Sequence, residues 1–171
     1  MKISEIKDFV GKEVELRGWV YRKRDSKDVC FVVLRDSSGT VQCIVKDTNS
    51  IFQEALKTTM ESSVELTGTV KEDKRAPGGY EIQVSDFQIV GLAERFPITQ
   101  DQSTEFLLDV RHLWIRSKNL TTIAKIKSTV LQAAREYFGK EGFFETTPPI
   151  IVSAACEGGS TLFGLKYLVL D

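Results

Sequence analysis

A cluster of positive charge lies early in the chain, a few residues before an aromatic side chain. Arg22-Lys23-Arg24 is followed by Lys27, so that four cations occupy the six positions from 22 to 27. Such a run is usually a solvated loop, although it also supplies the local charge that attracts phosphate. Phe31 follows in a β-branched run, where an aromatic residue is by default a core position. The cluster permits contact with a nucleic acid through one patch without requiring it.

Further polar residues stand in the strand-like part of the chain. Gln42 lies between Val41 and Cys43, so on a strand its amide points away from their face and offers both a donor and an acceptor. A solvated amide is the ordinary interpretation of such a residue. Lys74 and Arg75 lie in a polar loop between two apolar runs, where exposed cations are common. None of these residues identifies a function by itself.

Composition disfavours several classes of protein. The 171 residues carry 23 Lys and Arg against 24 Asp and Glu, and a formal net charge of -1 argues against an indiscriminate nucleic-acid coat. The three cysteines form no paired motif and one histidine accompanies them, so no metal site is predicted. The odd cysteine count argues against a disulfide framework. No apolar run reaches the ~18 residues of a membrane span, so a cytoplasmic protein without a membrane partner is expected.

The elements that position these residues follow from hydrophobic spacing. Period-2 alternation and β-branched runs predict five strands, with a short helix between the third and the fourth. This is the element order of an OB-fold barrel, which binds oligonucleotides on one sheet face and its loops, and a small SH3-like barrel is the alternative. The basic cluster then falls in the loop between the first two strands. The predicted strands lie at about 14–21, 29–34, 40–45, 64–70 and 80–84, and the helix at 51–59.

The pattern changes in the second half of the chain. Residues 94–109 have no clear period and are predicted to be a linker. Apolar residues at helical spacing predict a helix over 121–138, ended by one of the two glycines after it. Pro148-Pro149 then forces an extended chain into a strand that begins at Ile150. The predicted domains are an OB-fold at 1–92, a hinge at 93–118 and the start of a second domain at 119–171.

The first of two stretches that resemble a known family covers the predicted barrel. It runs from Gly18-Trp19-Val20 through the basic cluster to Phe31–Asp36 and Val41-Gln42. It is similar to the anticodon-binding domain of the class IIb aminoacyl-tRNA synthetases, which are the aspartate, asparagine and lysine ligases. The loop Arg75–Glu81 is similar to that of the aspartate and asparagine members. The resemblance implies an OB-fold that binds the anticodon loop of a tRNA.

The second stretch covers the predicted helix and the residues C-terminal to it. From Arg111 to Pro149 the chain resembles motif 1 of class II synthetases, a helix and strand that build a dimer interface. Cys156–Phe163, with the sequence Cys-Glu-Gly-Gly-Ser-Thr-Leu-Phe, is similar to asparagine ligases rather than aspartate ligases. The chain therefore resembles the asparagine–tRNA ligases, over a β-rich α+β fold made of the barrel, a hinge and the first helix and strand of a catalytic domain. A fragment of an aspartate–tRNA ligase and a non-catalytic RNA-binding paralogue are the alternatives.

The resemblance gives roles to the residues of the predicted barrel. Phe31 would lie on its outer face and stack on an anticodon base of tRNA-Asn. Gln42 would contact a base edge, and Arg24 a base or a phosphate. No contact with DNA is expected. The other residues expected to contact the tRNA are Arg22, Lys23, Lys74 and Arg75.

In the second domain the resemblance implies a mobile lid and a subunit contact. A carboxylate suits the ammonium group of an amino acid substrate, and glycines allow the backbone of a lid to change conformation. Tyr137 and Pro149 would lie at the interface of a homodimer. The residues of the expected lid are Glu157, Gly158, Gly159 and Ser160.

The reaction of this family requires two sequence motifs that are not found in these 171 residues. Its members activate asparagine with ATP and Mg²⁺ and transfer it to tRNA-Asn. Motifs 2 and 3, which supply arginines for the nucleotide, are not found before Asp171, and without them nothing stabilises charge on the transferring phosphate. No catalytic residue and no bound cofactor are expected in these 171 residues alone, which are predicted to be inactive.

Overall fold

The computed structural model describes residues 1–47, 51–99 and 102–150. The chain divides into two compact units, Met1–Asp109 and Val110–Asp171. The division falls within the segment 93–118 for which the sequence predicts a hinge. The predicted domain boundaries at 92 and 118 stay predictions, because a division into compact units does not show where each domain begins.

The first unit is built around a closed barrel of five strands. The strands are β1 (Glu13–Asp25), β2 (Val29–Arg35), β3 (Thr40–Lys46), β4 (Ser63–Glu72) and β5 (Tyr80–Gly91). Their order around the barrel is β1-β2-β3-β5-β4, and β1 also pairs with β4. The β3–β5 pairing is parallel and the others are antiparallel. The structure confirms the OB-fold.

Alternation along β2 separates the core from the outer face of the barrel. Cys30, Val32 and Leu34 are all 0% exposed, whereas Phe31 and Val33 between them are half-buried on the opposite face. Burial of an aliphatic side chain of this size contributes roughly 1.5–3 kcal/mol, so the inward set fixes the register of the strand. Phe31 consequently lies outside the core, although an aromatic residue in such a run is by default a core position.

A β-bulge in β1 reverses the direction in which its side chains point. Val14 and Val20 face the core, and Val20 pairs with Leu34, but the register with β2 shifts between Val20 and Arg22. The extra residue is Tyr21, and beyond it the even-numbered residues face outward. Arg22, Lys23 and Arg24 lie on β1, which continues to Asp25, and the prediction that they lie in a loop is wrong. Lys27 lies in the predicted loop between β1 and β2.

Gly18 and Gly68 allow neighbouring strands of the barrel to approach each other closely. A Cβ atom on Gly18 would lie 2.5 Å from the carbonyl oxygen of Arg35, and one on Gly68 would lie 2.7 Å from Cγ2 of Ile82. Both glycines occupy inward positions of the period-2 pattern, where any larger residue would push the strands apart. Close backbone approach is a common reason for glycine within a strand.

Two short helices pack against the barrel. An N-terminal 3-10 helix (Ile3–Phe9) buries Ile3 and Ile6, and α1 (Ile51–Lys57) buries Phe52 and Ala55. Helix α1 begins where the sequence predicts and ends at Lys57, two residues before the predicted end. It contacts β2, β3 and β5.

Asp36, in the turn between β2 and β3, anchors the N-terminal 3-10 helix. Its carboxylate accepts hydrogen bonds from the backbone N–H of Ile3 at 2.8 Å, of Ser38 at 2.7 Å and of Gly39 at 2.9 Å, and from the Ser38 hydroxyl at 2.7 Å. Burial acts to raise the pKa of Asp36, but these hydrogen bonds outweigh it and hold the pKa below its ordinary value. The first residues of the chain are thereby tied to the β2–β3 hairpin.

After β5 the described chain is mainly helical, with irregular segments at 92–99 and 143–150. Helix α2 (Thr104–Asp109) lies in the segment predicted to be a linker. Its six residues are too few to show a helical period, so the sequence pattern did not indicate it. The second unit contains α3 (Arg111–Trp114) and α4 (Lys118–Lys140), which confirms and extends the helix predicted at 121–138. The predicted strand from Ile150 lies almost entirely outside the described residues.

The ends of α4 are defined by local hydrogen bonds. The Ser117 hydroxyl accepts from the N–H of Leu120 at 3.4 Å, as an N-cap does. At the other end Gly142 has a φ of 85°, and the N–H of Phe143 donates to the carbonyl of Phe138 at 3.0 Å, which is the Schellman arrangement. Of the helices described, none is long and apolar enough to cross a membrane.

Candidate nucleic-acid interface

A row of side chains crosses the outer face of the barrel from β1 to β5. Val33 on β2 is the register partner of Arg22 on β1 and of Gln42 on β3, and Gln42 is in turn the partner of Glu81 on β5. Neighbours in such a row have Cβ atoms about 4.5–5.5 Å apart. The row therefore sets a guanidinium, an apolar side chain, an amide and a carboxylate side by side.

A second row runs parallel to the first, two residues along each strand. Phe31 is the register partner of Arg24 on β1 and of Ile44 on β3, and Ile44 is the partner of Gln83 on β5. The Cζ atom of Arg24 lies 4.9 Å from the centre of the Phe31 ring. A cation over an aromatic face at this distance contributes about 0.5–1 kcal/mol at an exposed site. The contact orients the ring and the guanidinium together.

The two rows enclose an open depression with a volume of about 270 Å³. Its lining combines cations with apolar and aromatic side chains, a combination that suits an unpaired base and the phosphate beside it. The sequence predicted a binding role for every lining residue except Val33. The residues that line it are Arg22, Lys23, Arg24, Phe31, Val33 and Gln42.

Lys23 differs from the two arginines beside it, although it also borders the depression. Its Nζ donates to the carbonyl oxygens of Leu56 and Thr58, at 2.5 Å and 3.1 Å, and lies 3.2 Å from the Asp25 carboxylate. Its side chain is 11% exposed. This geometry does not favour the predicted phosphate contact for Lys23, because its ammonium group already has three oxygen partners.

Val33, Glu81 and Gln83 belong to the two rows but were missed by the sequence reasoning. Val33 has no polar group and lies in a β-branched run, so nothing in its sequence marked it as a site residue. Glu81 is 7% exposed despite its charge, and nothing in its local sequence marks it as a neighbour of Gln42. The available signal was the alternation of Glu81, Gln83 and Ser85 with apolar residues along β5, which places all three on the outer face.

In the loop between β4 and β5, the Asp73 carboxylate binds the Arg75 side chain. The Arg75 guanidinium donates from Nε and Nη2 to the two oxygens of Asp73, at 3.1 Å and 2.9 Å, and its N–H donates to Oδ1 at 2.8 Å. These hydrogen bonds, the side-chain ones first, hold the pKa of Asp73 below its ordinary value. Lys74 beside them is exposed. Both predicted cations therefore lie on this loop.

The remaining predicted site residues belong to the second unit. Tyr137, in the last turns of α4, is 62% exposed and meets the ring of Phe138 edge-on at 5.4 Å. Pro149 is also exposed. Exposed apolar side chains continue along α4 and the segment after it, among them Val130, Phe138 and Phe143. The predicted lid residues Glu157, Gly158, Gly159 and Ser160 lie outside the described residues.

Comparison with known families agrees with this division of the chain. Residues 14–90 match the family described as "OB-fold nucleic acid binding domain", and residues 103–170 match "tRNA synthetases class II (D, K and N)". A barrel with a cationic and aromatic depression is therefore followed by a segment similar to class II tRNA synthetases. The second part of the chain is thus similar to the class II synthetases of the aspartate, lysine and asparagine group, and the first part to nucleic-acid-binding OB-fold domains.

Several curated relatives of this chain are asparagine enzymes. The chain is 54% identical over 159 residues to the asparagine–tRNA ligase of Thermococcus gammatolerans, a match that covers 92% of this chain and 37% of the relative. It is 45% identical to that of Thermoplasma acidophilum, with 98% and 40% covered. The crystal structure of asparaginyl-tRNA synthetase from Pyrococcus horikoshii complexed with asparaginyl-adenylate superposes with a TM-score of 0.85 at 42% identity, with 98% of this chain and 40% of that one covered. The chain thus spans roughly two fifths of the length of these relatives.

Proposed function

We propose that this chain is part of an asparagine–tRNA ligase in which the barrel binds the anticodon loop of tRNA-Asn. The observation that carries the proposal is the depression on the outer face of the barrel, where Phe31, Gln42 and Arg24 converge from three strands. Unpaired loop bases are the part of an RNA that proteins read. A half-buried aromatic face, an amide and a guanidinium within one depression supply stacking, hydrogen bonding and charge for such a base.

Each residue of the depression has a distinct part in this proposal. Phe31 stacks on an anticodon base, an interaction worth about 1–3 kcal/mol. The amide of Gln42 donates to and accepts from the edge of that base, and Arg24, oriented over the Phe31 ring, contacts the base or its phosphate. Arg22, beside them, adds positive charge toward the RNA backbone. Glu81, next to Gln42, adds an acceptor to the same row.

The loop between β4 and β5 supports binding from the other side of the site. Loops flanking the sheet face are the usual second element of an OB-fold site. Lys74 is exposed, and the Arg75 guanidinium is presented by Asp73 in a fixed orientation. We propose that both approach phosphates of the anticodon loop. Phosphate contacts set the position of the RNA, while the contacts within the depression select among bases.

The activity of the whole enzyme is part of the same proposal. An asparagine–tRNA ligase uses ATP and Mg²⁺ to activate asparagine and then charges tRNA-Asn. We propose a homodimer that uses the apolar surface around Tyr137 and Pro149, and a lid formed by Glu157, Gly158, Gly159 and Ser160 over the adenylate, in the cytoplasm. The 171 residues by themselves are not expected to catalyse this reaction, because they correspond to about two fifths of the relatives.

The test is the binding of this chain to three tRNAs. Fluorescence anisotropy with tRNA-Asn, tRNA-Asp and a tRNA with an unrelated anticodon should show a preference for the first two. Phe31→Ala should weaken binding of tRNA-Asn by roughly 5- to 150-fold, the range that corresponds to the loss of one stacked base, and should abolish the preference.

A matched aromatic variant separates stacking from general effects. Phe144→Ala removes a phenylalanine that is 94% exposed in the second unit, and it should leave tRNA binding unchanged. Equal binding of all three tRNAs by the unaltered chain would refute the anticodon assignment. Equal weakening by the two alanine variants would show that Phe31 has no particular contact with the RNA.

A further inference from the structure

Lys23 lies at the centre of the basic cluster but on the other side of β1 from its neighbours. Its register partner on β2 is Val32, which is 0% exposed, whereas the partners of Arg22 and Arg24 are the outward residues Val33 and Phe31. The bulge at Tyr21 causes this arrangement, because it places the even-numbered residues outside and the odd-numbered ones inside. Lys23 is thus the cation of the cluster that the strand directs away from the outer face.

The ammonium group of Lys23 is bound to the end of helix α1. The carbonyl oxygens of Leu56 and Thr58, to which it donates, belong to the last turn of α1 and to the residue after its final lysine. The last carbonyls of a helix lack intrahelical partners, and a lysine that binds them also meets the negative end of the helix dipole. With a side chain only 11% exposed, Lys23 holds a fixed position.

These contacts connect the end of β1 and helix α1 to the strands that carry the rest of the binding site. Helix α1 packs against β2 and β3, the strands that carry Phe31 and Gln42. Lys23 joins that assembly to the end of β1, whose Asp25 carboxylate it also contacts at 3.2 Å. Since Arg22 and Arg24 flank Lys23 in the chain, any movement of the end of β1 moves both guanidiniums relative to the Phe31 ring.

We propose that Lys23 is a positioning residue for the nucleic-acid site, which sets the place of Arg22 and Arg24 and makes no contact with RNA. The inference rests on the proposed function, since it concerns the same depression. It distinguishes two uses of positive charge within one run of three residues. The arginines face the ligand, and the lysine fastens the strand that carries them.

The dependence of binding on salt concentration separates the two uses. Each phosphate contact with single-stranded nucleic acid contributes about 0.7 to the slope of log affinity against log salt concentration. The probe is an anticodon stem-loop of tRNA-Asn, titrated over a series of KCl concentrations. Arg22→Met should weaken binding and reduce the steepness of the slope by about 0.7.

Lys23→Met should give a different combination of results. It keeps the apolar stem of the side chain and removes the ammonium group. The affinity should then fall by roughly fivefold, in keeping with the cost of immobilising side chains that are no longer held in place before binding, while the slope stays that of the unaltered chain. Circular dichroism and thermal denaturation establish a temperature at which both variants are folded, so that a loss of stability alone cannot lower the affinity. Lys23→Arg, which can still donate to both carbonyls, should restore most of the affinity.

Each outcome decides between the alternatives. A slope that decreases with Lys23→Met as it does with Arg22→Met would overturn the proposal and make Lys23 a phosphate contact. Unchanged affinity of the folded Lys23→Met variant would also overturn it. Failure of the unaltered chain to bind the stem-loop would refute the proposed function, and the role of Lys23 in that site with it, a result distinct from the other two.

Discussion

Removal of the Asp36 carboxylate should detach the N-terminal 3-10 helix from the barrel. Asp36→Ala eliminates four hydrogen bonds with donor–acceptor distances between 2.7 and 2.9 Å, one from Ile3 and three within the turn. Hydrogen bonds to a charged group are worth about 1.5–3 kcal/mol each when buried. In this partly exposed turn, water can replace the Asp36 carboxylate as the acceptor for Ser38 and Gly39. The loss of stability is therefore smaller than the sum of the four hydrogen bonds. We expect the free energy of unfolding to fall by about 2–3 kcal/mol.

Urea denaturation followed by circular dichroism at pH 7 measures this loss. For a unit of about this size a loss of 1 kcal/mol lowers the Tm by roughly 4–8 °C, so thermal denaturation should show a decrease of about 10 °C or more. Asp8→Ala is the matched control, since Asp8 is exposed on the same 3-10 helix. A decrease of less than about 0.5 kcal/mol, the effect of an ordinary surface substitution, would refute the anchoring role of Asp36.

The same carboxylate predicts a dependence of stability on pH. The pKa of Asp36 is lower in the folded chain than in the unfolded chain, where it is about 3.9. Its contribution is therefore complete above the unfolded pKa and is lost as the pH falls through the folded pKa. The difference in unfolding free energy between the unaltered chain and Asp36→Asn should be constant from pH 7 to about pH 5 and should shrink below pH 4. A difference that grows on acidification would contradict the assignment.

Two further predictions concern the barrel itself. Gly68→Ala should destabilise the protein by more than about 2 kcal/mol in the same urea assay, because its Cβ would meet the backbone of Gln83 and the side chain of Ile82. Gly139→Ala is the control for a change of glycine to alanine, since nothing lies within 4 Å of the added atom and the φ of Gly139 is not positive. A smaller loss at Gly68 would mean that the strands separate easily. Burial raises the pKa of the Cys30 and Cys43 thiols to about 12. In a Cys156→Ser variant, which leaves these two as the only thiols, neither should react with Ellman's reagent at pH 8 until urea unfolds the barrel, and rapid reaction in the native state would show that the barrel opens.

Much of the barrel could be predicted because its strands alternate so regularly. Cys30, Val32 and Leu34 on β2 and Val41 and Cys43 on β3 form a period-2 pattern that specifies which side is buried. The order of the elements was then enough to predict the OB-fold, since five strands and one helix in this order along the chain have few compact arrangements. Helix α4 could be predicted equally well, because its apolar residues recur over about four turns, from Ile123 to Tyr137.

The orientation of the basic cluster could not be predicted in the same way. The inward pattern of Val14, Leu16 and Val20 would, if continued, direct Arg22 and Arg24 into the core. A single extra residue at Tyr21 reverses it, and a bulge depends on pairing with a second strand that the local sequence does not reveal. For the same reason Lys23 appeared equivalent to its neighbours. Glu81 was missed because its position beside Gln42 depends on a pairing between distant strands.

The parallel pairing of β3 with β5 also has a consequence for how the protein folds. In the described barrel it is the contact that places Glu81 and Gln83 beside residues of the β2–β3 hairpin, which forms from a short local turn. Contacts between segments that are far apart in the chain form slowly, since a long loop must close first. The hairpin with Phe31 and Gln42 can therefore assemble early, both in refolding and as the chain leaves the ribosome. The complete four-strand binding face exists only after the last strand has docked, so competence to bind RNA should mark the end of barrel folding.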